Sequence, residues 1–133
     1  MRCVEEVCVF YKQCPNYNPQ GLIKLDKPKH GKKKARADFV YDATTLSNNY
    51  TQKYTNYPRQ TLEFKCQRDG LHPTQKPVAL FEYLIKTYTS EGNVILDSCM
   101  GSGTTAVACK NTNRNFIGFE IDEGYWKVAC ERI

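Results

Sequence analysis

The sequence lacks several features, and each absence excludes a class. No apolar run approaches the roughly 18–20 residues that cross a bilayer, so no membrane span is expected. The N-terminus, Met1-Arg2-Cys3-Val4-Glu5-Glu6, has no long apolar stretch after its positive charge, which argues against a signal peptide. No Gly-Lys-Ser/Thr follows a glycine turn, so a P-loop is excluded. The 7 cysteines (Cys3, Cys8, Cys14, Cys66, Cys99, Cys109 and Cys130) are odd in number and include no C-x-x-C pair. Neither a disulfide framework nor a zinc site is indicated, and free thiols fit a reducing cytoplasm. Cys3, Cys8 and Cys14 do cluster, but their spacings are wrong for a zinc knuckle and the nearest histidine is His30, so no metal is expected. There is no internal repeat.

What remains is an ordinary globular composition, 41% apolar and 25% charged, in 133 residues, which is one domain at most. The net charge of +5 is unevenly placed. Residues 1–71 carry 13 Lys and Arg against 7 Asp and Glu, a net of +6, while residues 72–133 carry a net of −1. Seven of the basic residues (Lys24, Lys27, Lys29, Lys32, Lys33, Lys34 and Arg36) fall in one run with Asp26 as the single acid. That run is either a phosphate-contacting surface or a solvated loop.

Residues 4–11 are apolar and β-branched and read as a strand, and 61–65 alternate and suggest another. Between them lie a turn-rich stretch at 14–21 and a polar, tyrosine-rich segment at 41–60 without helical or strand period. From His72 the pattern sharpens. Pro77 sits at a helix start, with Val78, Leu80, Phe81, Leu84, Ile85 and Tyr88 at helical spacing and Gly92-Asn93 as the break. Val94-Ile95-Leu96-Asp97 reads as a buried parallel strand. Gly101-Ser102-Gly103-Thr104-Thr105 then leads into a helix at Ala106-Val107-Ala108-Cys109, a second strand at 116–119 ends at Glu120, and a third helix covers 122–132. Helix, strand, helix, strand, helix is half of an open α/β sheet.

Asp97-Ser98-Cys99-Met100-Gly101-Ser102-Gly103 joins strand to helix, where glycines let a ligand approach the backbone and where ligands of such sheets bind. Glu120 lies 19 positions after Gly101, the usual distance for a carboxylate that takes ribose hydroxyls. Glycine is also what any such turn needs simply to turn. Gly101-x-Gly103-x-x-Ala106 fits the dinucleotide fingerprint as well, but Asp97 at the strand tip would repel a pyrophosphate. The ammonium and sulfonium of S-adenosylmethionine are favoured by the same carboxylate.

Three motifs carry a resemblance. His72-Pro73-Thr74-Gln75-Lys76-Pro77 before an apolar helix, then Asp97-x-x-x-Gly101-Ser102-Gly103-Thr104-Thr105, then Ile117-Gly118-Phe119-Glu120, resemble in order and spacing the β-group of DNA N6-adenine/N4-cytosine methyltransferases. Weaker matches lie upstream at Glu5–Lys12, Tyr17–Gln20 and Tyr57–Arg59. The resemblance implies a partial Rossmann-like α/β sheet that binds S-adenosylmethionine at 72–133, preceded at 1–71 by a strand and a basic, loop-rich recognition region. It implies that Thr74, Gln75 and Lys76 sit beside the methionine end of the cofactor and that Asp97 contacts its amino group. The loop Ser98, Cys99, Met100, Gly101, Gly103 and Thr104 would line it, with Glu120 on the ribose and Ile121 or Asp122 near the adenine. Thr74 is equally placed to cap a helix, and Lys76 to be a solvated charge. The partner implied is double-stranded DNA.

The family's catalytic motif, Asp/Asn/Ser-Pro-Pro-aromatic, has no counterpart, since Pro-Pro occurs nowhere in the sequence. Cys14-Pro15-Asn16-Tyr17 is the nearest stretch, on the wrong side of the 4–11 strand. No catalytic residue is therefore assigned, and these 133 residues alone are expected to transfer little or no methyl. A second chain supplying the motif, a DNA-binding remnant and a dinucleotide oxidoreductase are the competing readings. Strands without their neighbours should show an unpaired edge or an uncovered face.

Overall fold

The structure is a computed structural model, and it describes residues 4–32, 49–67 and 70–133. Contacts group the chain into two units: the residues up to Asn18 with Leu62–Ile133, and Pro19–Thr61.

The second unit is a hairpin of β1 (Ile23–Lys32) and β2 (Asn49–Thr55), paired antiparallel from Ile23 against Thr55 to Lys32 against Asn49, with an irregularity between Lys24 and Lys29. The expectation for 41–60 is corrected here, because Asn49–Thr55 is a strand. Its sequence, Asn-Tyr-Thr-Gln-Lys-Tyr-Thr, has no apolar alternation because neither face of the hairpin is a core within its own unit. Tyr50 and Tyr54 share a face with their cross-strand partners Gly31 and Lys24, as strand alternation requires. The Tyr50 ring lies over Gly31 so closely that a Cβ there would meet it at 2.6 Å. Asn56, in the left-handed region, donates from Nδ2 to the Gly21 carbonyl at 2.7 Å and ties the open end. Lys24, Lys27, Lys29 and Lys32 lie on β1, whereas Lys33, Lys34 and Arg36 lie outside the described residues.

In the first unit the two expected strands at 4–11 and 61–65 do not form. Val4 and Phe10 are 80% and 91% exposed, so the apolar, β-branched segment finds no ladder and no face to bury among the described residues. The segment is held instead by its polar groups. Lys76 Nζ meets Glu5 Oε1 at 2.7 Å, and the Asn18 N–H donates to the Thr87 carbonyl at 2.7 Å.

The rest follows the expected order. α1 (Val78–Tyr88) starts behind Pro77, whose carbonyl accepts from Leu80 and Phe81. It stops where Thr89 turns extended and folds its hydroxyl back onto the Ile85 carbonyl at 2.6 Å. β3 (Val94–Asp97) and β4 (Asn115–Gly118) pair in parallel, joined by α2 (Thr104–Asn111), and α3 (Glu123–Arg132) closes the chain behind the Asp122 cap. Arg114 binds the end of α1 to the turn after α2, donating from Nε and Nη2 to the Thr89 hydroxyl and carbonyl at 3.2 and 2.9 Å.

Ile85, Ala108 and Cys109 form the core, with Val78, Phe81, Ile95 and Phe116 against them. The strand faces therefore divide. Ile95 and Phe116 point at α1 and α2, while Val94 and Leu96 are 60% and 65% exposed. This corrects the reading of 94–97 as a strand buried on both sides: in the described residues one face of the sheet is covered and the other is bare, as strands without their neighbours require. No helix among the described residues is long and apolar enough to cross a membrane.

Burial also pushes the Cys109 thiol pKa up, which disfavours the reactive thiolate. Brief maleimide labelling of the native protein is expected to modify the exposed Cys8, Cys14, Cys66, Cys99 and Cys130 and to spare Cys109 until denaturant is added. Peptide mass spectrometry reads this directly, and native labelling of Cys109 would contradict the packing.

Candidate functional site

Where β3 ends the chain makes a loop that reverses into α2, and two glycines carry the reversal. Gly101 has φ +52° and Gly103 φ +78°, the left-handed region that side chains resist. Gly103 is also where α3 comes closest: a Cβ there would lie 2.9 Å from the Ala129 Cβ.

The loop is anchored to both strand tips. Met100 N–H donates to the Phe119 carbonyl and Phe119 N–H to the Asp97 carbonyl, each at 2.9 Å. Asp97 accepts from the Cys99 N–H at 3.1 Å through Oδ1 and from the Thr105 hydroxyl at 2.5 Å through Oδ2. Glu120 accepts from the Gly101 N–H at 2.7 Å through Oε2 and from the Asp122 N–H at 3.0 Å through Oε1. A carboxylate has about four acceptor positions, so each acid is oriented by the backbone and keeps lone pairs for a ligand. On the outer side, Arg132 donates to the Ser102 carbonyl and hydroxyl at 2.5 and 3.0 Å.

Beside this loop is a cavity of about 540 Å³, within the usual range for small-molecule sites. Of the residues expected from sequence, Thr74, Gln75, Lys76, Asp97, Cys99, Met100, Gly101 and Thr104 line it. Ser98, Gly103, Glu120, Ile121 and Asp122 do not, although Glu120 is one hydrogen bond behind the wall, through Gly101. Ile121 is fully exposed, and Asp122 Oδ1 caps α3 by accepting from the Tyr125 N–H at 2.9 Å. Lys76 is engaged by Glu5. The sequence reading missed Thr105, which fixes Asp97, Arg132, which fixes Ser102, and His72, which lines the cavity and stacks on Tyr125. Thr105 could have been found, since a hydroxyl one turn into the helix faces back to the strand tip. Arg132 carries no local signal, being 30 residues away.

The backbone bonds from Asp122 and Gly101 hold the Glu120 pKa below the ordinary glutamate value. For a depressed carboxylate, the stabilisation is full above the unfolded value and is lost as pH falls through the lowered folded one. In NMR titrations the Gly101 amide proton is expected to move only under acid conditions, with a midpoint below the ordinary glutamate range. Glu120→Gln should abolish that titration. A Gly101 midpoint at or above the ordinary value would contradict the bond.

The donor set is specific in its chemistry. A carboxylate at one strand tip suits a cation, a second one suits hydroxyls, and Lys76 across the cavity suits a carboxylate.

Comparison with known proteins adds the ancestry. The chain is 39% identical over 101 residues to the type II methyltransferase M2.DpnII of Streptococcus pneumoniae, covering 76% of this chain and 38% of that protein. It is 35% identical over 126 residues to the type II methyltransferase M.HpaI of Haemophilus parainfluenzae, covering 88% of this chain and 39% of that protein. Among solved structures, the M1.HpyAVI–SAM complex matches with 51% identity and a TM-score of 0.45, over 46% of this chain and 32% of that one. The chain thus spans about two fifths of the length of the curated relatives it matches. The family model described as DNA methylase, that of the N6- and N4-directed methyltransferases, matches residues 2–131, and the chain belongs to this family.

Proposed function

We propose that the chain supplies the S-adenosylmethionine-binding part of an enzyme that methylates the exocyclic amine of adenine or cytosine in DNA. The observation that carries this is the Asp97 carboxylate, fixed at a strand tip by Cys99 and Thr105 and facing the cavity beside the two left-handed glycines. A pyrophosphate would meet that charge unfavourably, whereas an ammonium is drawn to it. The cavity volume and the two oriented acids fit such a ligand.

When bound, S-adenosylmethionine supplies the methyl group from its sulfonium. The chain's own residues hold and orient it. Asp97 takes the ammonium, Thr74, Gln75 and Lys76 bound the methionine end, and the backbone of Ser98–Gly103 with Thr104 shapes the wall. Glu120 would take the ribose hydroxyls, and Ile121 or Asp122 would border the adenine. Lys76 would have to leave its exposed partner Glu5 to meet a ligand carboxylate, at small cost because an exposed ion pair contributes about 0–1 kcal/mol.

In this reading residues 1–71 serve recognition and 72–133 serve the cofactor. The Asp/Asn/Ser-Pro-Pro-aromatic motif that holds the flipped base in this family is not among the 133 residues. Methyl transfer then requires that motif from elsewhere, from further sequence or a second chain, and the cytoplasm is the compartment that fits. Calorimetry against S-adenosylhomocysteine and against NAD tests the cofactor: binding of the first and not the second is expected, and the reverse would make the chain a dinucleotide protein. Methyl transfer to unmethylated DNA by this chain alone would overturn the assignment of catalysis to a missing motif.

The basic run from Lys24 to Arg36 is the DNA-contacting element in this proposal. Its described part forms a hairpin strand in which Lys24 is the ladder partner of Tyr54. Changing Lys32, Lys33 and Lys34 to glutamine is expected to weaken retention on duplex DNA. It should also flatten the salt dependence by about 0.9 for each phosphate that is no longer neutralised. An unchanged slope would leave the run a set of solvated charges.

A further inference from the structure

His72 is the one cavity residue whose ring joins three separate parts of the chain. Its Nδ1 lies 3.2 Å from the Thr74 backbone nitrogen. A backbone N–H can only donate, so Nδ1 is the acceptor and the neutral ring carries its proton on Nε2. The ring packs against Tyr125 of α3 in a tilted arrangement, with ring centroids 4.3 Å apart and planes at 59°. The Cδ2–Nε2 edge closes on the cofactor loop: a Cβ built on Gly101 would lie 3.4 Å from His72 Cδ2 and 3.5 Å from Nε2.

α3 supplies the other side of the same contact. Tyr125, Ala129 and Arg132 are spaced by four and three residues and so share one helix face. Each meets the loop or its wedge: Tyr125 the His72 ring, Ala129 the Gly103 backbone, Arg132 the Ser102 carbonyl. Asp122, capping the helix through the Tyr125 N–H, fixes where this face begins.

We propose that His72 is a positioning residue for the cofactor site. Its ring is a wedge between Tyr125 and Gly101 that holds the Thr74–Lys76 wall at a fixed distance from the Asp97 loop. The imidazole is suited to this in two ways. Its Nδ1 closes the turn that presents Thr74, Gln75 and Lys76, and its flat Cδ2–Nε2 edge fits against a glycine that has no side chain. The inference rests on the cofactor reading above, because the fixed distance matters only for a ligand that touches both walls.

The test separates the wedge from the turn. Asparagine at 72 keeps an oxygen that can accept the Thr74 N–H but has no ring to place on Tyr125 or Gly101. S-adenosylhomocysteine affinity is expected to fall about tenfold in His72→Asn and in Tyr125→Ala, and no further in the double variant, since either change releases the same wedge. Tyr125→Phe keeps the stacked ring and should bind as the unaltered chain does. Hydrogen exchange without any ligand gives the second readout. The amides of Met100, Gly101 and Gly103, which donate to Phe119, Glu120 and Met100, should exchange several-fold faster in His72→Asn and Tyr125→Ala, and at the native rate in Tyr125→Phe. Native affinity with native exchange in His72→Asn would reduce the residue to a turn cap and overturn the proposal, as would additive losses in the double variant. If the unaltered chain does not bind S-adenosylhomocysteine, the cofactor reading fails by itself, and the exchange rates still decide whether the wedge exists.

Discussion

Replacing Gly103 by alanine should cost the first unit about 2–5 kcal/mol, enough to unfold much of a domain whose total stability is of the order of 5–15 kcal/mol. Two effects add. Gly103 has φ +78° and ψ 26°, a left-handed conformation that costs a residue with a side chain about 1–2 kcal/mol. The new Cβ would also stand 2.9 Å from the Ala129 Cβ and 3.1 Å from its Cα, and overpacking of that kind costs about 1–3 kcal/mol. Ala129 is completely buried and the obstructing atoms include backbone, so α3 itself has to move. Gly92 provides the internal control, for its φ is +79° but a Cβ there meets nothing within 4 Å. In urea denaturation Gly92→Ala should therefore show the conformational cost alone and Gly103→Ala the larger loss. Ala129→Gly introduced with Gly103→Ala should recover only part of the packing loss, because the Ala129 Cα still lies 3.1 Å from the new Cβ and glycine within a helix itself costs about 0.5–1 kcal/mol. Equal destabilisation by Gly92→Ala and Gly103→Ala would mean that α3 does not press on this loop.

The parts of the fold legible in the sequence are those where pattern and punctuation agree. Val78 to Tyr88 recur at helical spacing between a proline and a glycine, and α1 occupies that interval. β3, α2, β4 and α3 likewise fall within a residue or two of the periodic segments. The failures have a common cause. A strand is a property of a pair, and sequence shows only one member. Residues 4–11 are apolar and β-branched enough, yet among the described residues no strand lies beside them, so they form no strand and remain exposed. Asn49–Thr55 looks like a polar loop but has a partner in β1, and the ladder makes it a strand despite its composition. The same reasoning explains the exposure of Val94 and Leu96. Their apolar character is that of a sheet covered on both faces, and the described residues cover one.

At the candidate site the acids and glycines were readable because each performs a task that few residue types can. Asp97 ends β3 and Glu120 lies two residues beyond the end of β4, and Gly101 and Gly103 take left-handed angles. The supporting residues were not readable. His72 belongs to a recognised motif, but nothing in its spacing announces that Tyr125, 53 positions later, will stack on it. Arg132 looks like the usual basic residue in the last turn of a helix, and only the fold directs it to Ser102 rather than to its own helix end.

Asp97→Asn is expected to leave the fold intact and weaken S-adenosylhomocysteine binding by about 10- to 150-fold, the loss that follows when a hydrogen bond to a charged group, worth about 1.5–3 kcal/mol, is removed. The substitution is isosteric. Asparagine still offers one oxygen to the Cys99 N–H, and the Thr105 hydroxyl, which now donates to Oδ2, can rotate to accept from the amide nitrogen. The loop hydrogen bonds are thus conserved in number while the negative charge is gone. Stability measured by urea should change by less than about 1 kcal/mol, which distinguishes a missing ligand interaction from a collapsed loop. A second ligand assigns the effect to the amino acid end. 5′-Methylthioadenosine has the nucleoside and the sulfur but no ammonium, so its weaker binding should be the same in the unaltered chain and in Asp97→Asn. Were both ligands to lose the same factor, Asp97 would be acting by shaping the loop and not by its charge. The choice of a cationic cofactor over a pyrophosphate, which rests on that charge, would then lose its support.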